Sequence, residues 1–187
     1  MKDLNKKAKE IYQDNIEKGF HDKKYSIQHM AMLVITELSE AVEAFRKNKW
    51  SDVDYYKQIA EKNNEFDSTL FSMYIKDTVE DELADTYIRL LDLAGLKRLE
   101  LTIDSNTSWK LVSEYEVRMD EKSFIEKIIF IVSAVSSFND RNISYYIINT
   151  LVWIEIICEE MNIDLNFHVQ EKLKFNKTRP FKHGKIC

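Results

Sequence analysis

The sequence predicts an all-α protein built as a single domain over residues 1–187, and three observations carry that prediction. Three glycines and one proline in 187 residues are too few to punctuate a fold of short strands and turns. Hydrophobic residues make up 44% of the chain, enough at this length to bury a core. They recur at helical spacing over long segments instead of alternating. With 32% charged residues beside them, the composition excludes collagen-like, mucin-like and disordered classes.

Apolar periodicity predicts helices over 3–18, 27–47, 74–98, 122–138, 144–161 and 165–176, with a further one near 53–63. The first ends where Gly19 interrupts the chain. The second follows Ser26, placed as an N-cap, and gathers Met30, Leu33, Val34, Ala41 and Ala44 on one apolar face. Residues 51–74 read as a long polar excursion between two core helices, a kind of connection that often covers a site. The helix after it turns Leu83, Tyr87, Leu90, Leu91 and Ala94 to the core. Glu82, Asp85, Arg89 and Asp92 share another side, which taken alone reads as surface. Ser123 and Asp164 stand as N-caps of later helices, and Cys158 lies in an apolar run as a core residue. His29 and His168 lie in helical segments without metal-ligand spacing and read as structural.

An internal repeat organises these helices. MLVITELSEAV, 32–42, overlays IIFIVSAVSSF, 128–138, and ELADTYIRLLDLAGLKRLEL, 82–101, overlays YIINTLVWIEIICEEMNIDL, 146–165, with apolar positions coinciding. The domain thus reads as an acid-bearing repeat over about 27–98, a degenerate one over about 122–165, and a basic tail, 166–187. Glu37, Glu40, Glu82 and Asp85 fall on Ser133, Ser136, Tyr146 and Asn149, so a true repeat has kept its acids in the first copy alone.

Charge is unevenly spread. Of 27 lysines and arginines, six lie in the acid-free stretch from Lys172 to Cys187, leaving 21 against 32 acids in residues 1–171. An acidic body disfavours nucleic acid, while its basic tail suits either a small polyanion or plain solvation. Two distant cysteines argue against a disulfide framework or a thiolate zinc site. MKDLNKKAKEIYQ lacks the apolar core of a signal peptide, and Glu126, Lys127 and Glu155 break the longest apolar runs. A soluble cytoplasmic protein with no membrane partner is expected.

Glu37 and Glu40, at i and i+3, project from one helix face amid apolar neighbours, an expensive place for two like charges. Such a pair is by itself most simply a solvated face. Glu82 and Asp85 repeat the spacing, however, and two antiparallel helices can bring four carboxylates to one site, as metal sites in bundle cores do. Oxygen donors of this kind suit Mg²⁺, which commonly arrives with a substrate's phosphates.

ITELSEAVEAFR, 35–46, followed by VEDELADTYIRLLDLAG, 79–95, resembles the E-x-x-E and E-x-x-D signature of the all-α nucleoside triphosphate pyrophosphohydrolases, the MazG-like and dimeric dUTPase superfamily. GFHD, 19–22, and the ending EKLKFNKTRPFKHGK, 171–185, are similar to segments of the same proteins. The resemblance implies a MazG-like helical bundle in which Glu37, Glu40, Glu82 and Asp85 bind Mg²⁺, with Mn²⁺ as a substitute. It implies a nucleoside triphosphate as substrate, released as monophosphate and pyrophosphate in house-cleaning or dUTPase-like fashion. Lys172, Arg179 and Lys185 are then phosphate ligands, while Asn176, Phe20 and His183 contact the nucleotide. Phe20 reads equally as a core aromatic, the basic residues as a surface, and 183–185 as a closing flap or a plain end. Glu37 and Glu40 are the expected catalytic pair, one or the other serving as general base, since an apolar surround makes a carboxylate a stronger base.

The excursion is longer than in short MazG-like proteins, and the tail follows the acid-poor copy, which would complete the bundle within one chain. The superfamily also implies a homodimer. Two other functions remain open at this level: phosphoribosyl-ATP pyrophosphohydrolysis, and a nonenzymatic bundle that binds a partner protein.

Overall fold

A computed structural model describes residues 3–62, 65–102 and 105–184, apart from the side chains of 105–109, 116, 183 and 184. The described residues form α-helices and no strand: α1 (Leu4–Glu17), α2 (Ile27–Arg46), α3 (Val53–Ala60), α4 (Ser68–Tyr74), α5 (Val79–Leu96), α6 (Ser105–Met119), α7 (Phe124–Ser136), α8 (Ile143–Glu160) and α9 (Leu165–Thr178), closed by a 3-10 turn at Phe181–Gly184. None of these helices is long and apolar enough to cross a membrane.

Local chemistry sets the helix starts. The Ser26 hydroxyl accepts from the His29 N–H, and Asp164 accepts from Phe167. Ser123 and Glu126 close a reciprocal capping box. The predicted helix over 74–98 divides in two. Ile75 ends α4, Asp77 takes a left-handed φ of 57°, and Thr78 caps α5. Apolar Tyr74 and Ile75 carry the helical pattern across that break. The excursion holds two helices, since Leu70 and Phe71 bury the short α4. The polar α6 falls outside the predicted set because, among its described side chains, only the narrow stripe of Leu111, Tyr115 and Met119 is buried.

Four helices close a ring, α2 against α5, α5 against α8, α8 against α7 and α7 against α2. Neighbours run antiparallel. Val79 donates to the Lys49 carbonyl, bringing the start of α5 beside the end of α2. The Phe45 and Phe124 rings lie 4.7 Å apart, bringing the start of α7 there too. Helices α1 and α9 also pack on α5, which is therefore buried almost all round. A Cβ on Gly95 would come 2.4 Å from the Ala8 carbonyl, so α1 and α5 approach this closely only because residue 95 has no side chain.

The main core joins α1, α2, α5, α6, α7, α8 and α9 and includes Cys158, whose thiol burial pushes above its ordinary pKa. A second, smaller core fastens the excursion to α9. There Phe71 stacks on Phe175 with centroids 4.6 Å apart, while the Tyr56 hydroxyl donates to buried Glu171 at 2.5 Å.

Candidate functional site

The antiparallel crossing of α2 and α5 brings Glu37, Glu40 and Glu82 together, with one carboxylate oxygen of each within 4.8 Å of the others. Glu40 is exposed, whereas Glu37 and Glu82 retain 4% of their exposure. The surface reading of the second acid pair is thereby corrected. With α1, α2, α8 and α9 all packed on α5, that helix has almost no surface face.

Glu82 has little to offset its charge. Its Oε2 is buried with no hydrogen-bond partner among the described residues. Burial first, then the nearby charges of Asp85 and Asp81, push its pKa up to about 9, against the opposing pull of Lys172. Glu37 is better served, because Arg89 donates to its Oε1 from Nε at 2.8 Å and Nη2 at 2.7 Å. Burial and the charge of Asp85 still hold Glu37 above the ordinary carboxylate range. Arg89 has a signal in the sequence, one helical turn beyond Asp85, yet its role as a counter-charge belongs to the packing.

Asp85 faces another way. Its Oδ2 meets the Lys172 ammonium at 2.8 Å, and Lys172 also donates to Asp81 Oδ2 at 2.7 Å. Lys172, expected at the phosphates, is 3% exposed and closed into this pair. Burial disfavours its charge, but the two carboxylates outweigh burial and raise its pKa above the ordinary lysine value. Asp81 extends the acidic set, since Asp77, Asp81 and Glu82 also bring carboxylate oxygens within 4.8 Å of one another. The sequence reading passes over Asp81 because it stands outside the four-acid spacing.

A cleft of about 470 Å³, open to solvent, adjoins the acids. Glu37, Asp85 and Arg89 form its floor, and Phe20, Asn176 and Arg179 line it from the α1–α2 link and the tail. Asn15, Ile88 and Asp92 complete the wall. Asn176 presents a buried Oδ1 with no partner among the described residues. Asp92 Oδ1 in turn lies 2.9 Å from His21 Nε2.

The tail is fixed to the α1–α2 link. Lys182 N–H donates to the Lys18 carbonyl at 2.8 Å, and the Lys18 ammonium donates to the carbonyls of Lys177 and Arg179. Gly19 takes a φ of +80°, and a Cβ there would stand 2.0 Å from the Phe181 ring. Lys185 and the side chain of His183 lie outside the described residues. His29 stacks on Tyr25 away from the acids, with centroids 4.3 Å apart.

No protein-family model, curated protein or solved structure matches the chain. The superfamily resemblance therefore stands on the residues of the site themselves.

Proposed function

We propose that the chain is a divalent-cation-dependent nucleoside triphosphate pyrophosphohydrolase, splitting a nucleotide to monophosphate and pyrophosphate. The observation that carries this reading is the meeting of Glu37, Glu40 and Glu82 beside a cleft lined by Phe20, Asn176 and Arg179. The residues fit a hard cation, because all three donors are carboxylate oxygens and the buried Glu82 oxygen has no other partner among the described residues. Mg²⁺ is the proposed ion, with Mn²⁺ as a substitute, while Asp85, the fourth acid expected there, is paired with Lys172 instead. Bound there, the cation would supply neutralising charge to the phosphate oxygens and a site for the attacking water.

The side chains divide the remaining work. Arg179 presents a planar fork of donors to phosphate oxygens. Phe20 offers a ring face to a base, and the Asn176 carbonyl oxygen accepts from an N–H or O–H of the nucleotide. Arg89 occupies Glu37 Oε1, so Glu40, the exposed member of the trio, is the better placed to take a proton from water. Lys172 is closed into ion pairs with Asp81 and Asp85, a positioning role in place of direct phosphate contact. The chain is further proposed to act in the cytoplasm as a homodimer, which a solution mass near twice 22.2 kDa would support.

Pyrophosphate release from a panel of ribo- and deoxyribonucleoside triphosphates, with Mg²⁺ and with a chelator, tests the reaction. Metal-dependent release that Glu40→Gln abolishes in a folded protein is the expected outcome. Release from phosphoribosyl-ATP alone would replace the substrate. No release from any of these compounds would leave a nonenzymatic bundle.

A further inference from the structure

The cleft beside the carboxylates runs along one stripe of α5. Asp85, Ile88, Arg89 and Asp92 line it, spaced i, i+3, i+4 and i+7 on the helix. Two turns, roughly 10 Å of helix axis, therefore separate Asp85 from Asp92. The meeting point of Glu37, Glu40 and Glu82 belongs to the Asp85 end, since Glu82 lies a further turn away from Asp92. Phe20 and His21 are consecutive in the α1–α2 link, and His21 Nε2 lies 2.9 Å from Asp92 Oδ1. The link thus brings an aromatic ring toward the Asp92 end.

Folding alone does not account for Asp92. It is 3% exposed, an expensive place for an acid unless both oxygens are partnered. Only Oδ1 is. A carboxylate accepts and does not donate, so His21 Nε2 carries the hydrogen of that bond. The imidazole is itself packed on Tyr12, with ring centroids 4.8 Å apart, so the carboxylate is oriented before any ligand enters. Arg89 is near enough to feel the charge of Asp92, yet its Nε and Nη2 go to Glu37. Asp92 Oδ2 has no hydrogen-bond partner among the described residues, and it is not sealed from solvent as Asp81 Oδ1 and Glu82 Oε2 are. The solvent it meets is that of the cleft, which Asp92 lines.

We propose that Asp92 selects the base, and that the cleft takes nucleotides whose Watson–Crick edge carries an amino group where uracil and hypoxanthine carry a carbonyl. The inference rests on the pyrophosphohydrolase reading, which puts the phosphates at the cation end. A carboxylate repels phosphate, so the far end of the cleft is left to the nucleoside. Of the groups that a nucleoside presents there, an exocyclic amine gives Oδ2 the donor it lacks, in a hydrogen bond strengthened by the charge. A carbonyl in the same place sets its lone pairs against the carboxylate and leaves a buried acceptor unpaired. Sites built to hydrogen-bond a substrate group discriminate most strongly in that way. Cytosine and adenine are then accepted, and uracil nucleotides are poor substrates.

Calorimetric titration of the full chain in Mg²⁺ with two pairs of probes tests this, deoxycytidine against deoxyuridine monophosphate and adenosine against inosine monophosphate. The amino member of at least one pair should bind at least about tenfold more tightly. In Asp92→Asn the preference should vanish or reverse, because an amide donates to a carbonyl as readily as it accepts from an amine. The variant is close to isosteric, circular dichroism checks its fold, and the discrimination by the parent stands as a test without it. Selective binding with no pyrophosphate release from any triphosphate would remove the hydrolysis and leave the assignment of Asp92 in place. Pyrophosphate release at equal efficiency from dCTP and dUTP, and from ATP and ITP, would keep the hydrolysis and overturn the assignment. Equal binding within both pairs, no binding of any probe, or a preference that Asp92→Asn leaves intact would overturn it as well. Equal weakening of all four probes by the substitution, without selectivity in the parent, would move the carboxylate to a sugar hydroxyl and overturn it too.

Discussion

Glu82 concentrates the conflict between folding and chemistry in one side chain. Its pKa is pushed up to about 9, so between pH 4.5 and 9 the folded chain keeps a proton that the unfolded chain has released. Stability without cation must therefore fall as pH rises through that window. Thermal melts in chelator should show this slope, Glu82→Gln should flatten it, and Mg²⁺ should restore the parent but not the variant. A slope unchanged by the substitution would remove Glu82 as its source. Lys172 is the complementary case, an ammonium closed between Asp81 and Asp85. Lys172→Met strands two buried or half-buried acids and should cost about 3–5 kcal/mol in urea unfolding. Adding Asp81→Asn should recover part of it, and full additivity of the two changes would deny the pairing. The spacing of Glu37, Glu40, Glu82 and Asp85 is legible in the sequence because helical geometry fixes which residues share a face. The counter-charge of Lys172 is not, because it depends on α9 lying against α5, a contact 91 residues away along the chain.

At the level of elements, the wall of the cleft depends on how the tail meets the α1–α2 link. Gly19 combines a left-handed φ with contact against the Phe181 ring, so Gly19→Ala meets both a backbone penalty and a clash. Urea unfolding should show a loss of about 1–2 kcal/mol from the backbone alone, with more from the clash. Phe181→Ala placed on top should relieve the second part only. If the double variant loses the sum of the two single losses, Phe181 is not what Gly19 accommodates. Elements with a broad apolar face are readable from sequence, as α2 and α8 are. Two others are obscured for different reasons. Among the described side chains of α6 the buried ones narrow to Leu111, Tyr115 and Met119, and at 74–78 apolar residues hide a helix break that Thr78 caps. Loop-bound Phe20 is legible only through resemblance, since no periodicity places it beside Asn176 and Arg179.

For the whole molecule, two buried groups with opposite shifts set the pH profile. His168 is held down at about 4 from 6.5, so the unfolded chain takes up a proton first as the medium acidifies, and stability drops as pH falls through that interval. Glu82 removes stability on the alkaline side. Between about pH 4.5 and 6.5 the two slopes oppose one another, so the cation-free protein should hold a plateau there and lose stability above about pH 6.5, where Glu82 acts alone, while saturating Mg²⁺ should reduce that alkaline loss. Melting temperatures across pH 4–9 decide this, and a slope as steep below pH 6.5 as above it would contradict it. The all-α class follows from composition and period, whereas the ring of α2, α5, α7 and α8 and the burial of α5 on nearly every side arise only from the assembled bundle. That burial bears on how the chain is made. Asp81 is fully enclosed, yet the ammonium that balances it is synthesised 91 residues later. Sinking an unbalanced carboxylate is costly, so the acidic end of α5 has to stay hydrated on the growing polypeptide. The bundle can seal there only after Lys172 has left the ribosome, so closure around α5 waits on the synthesis of α9.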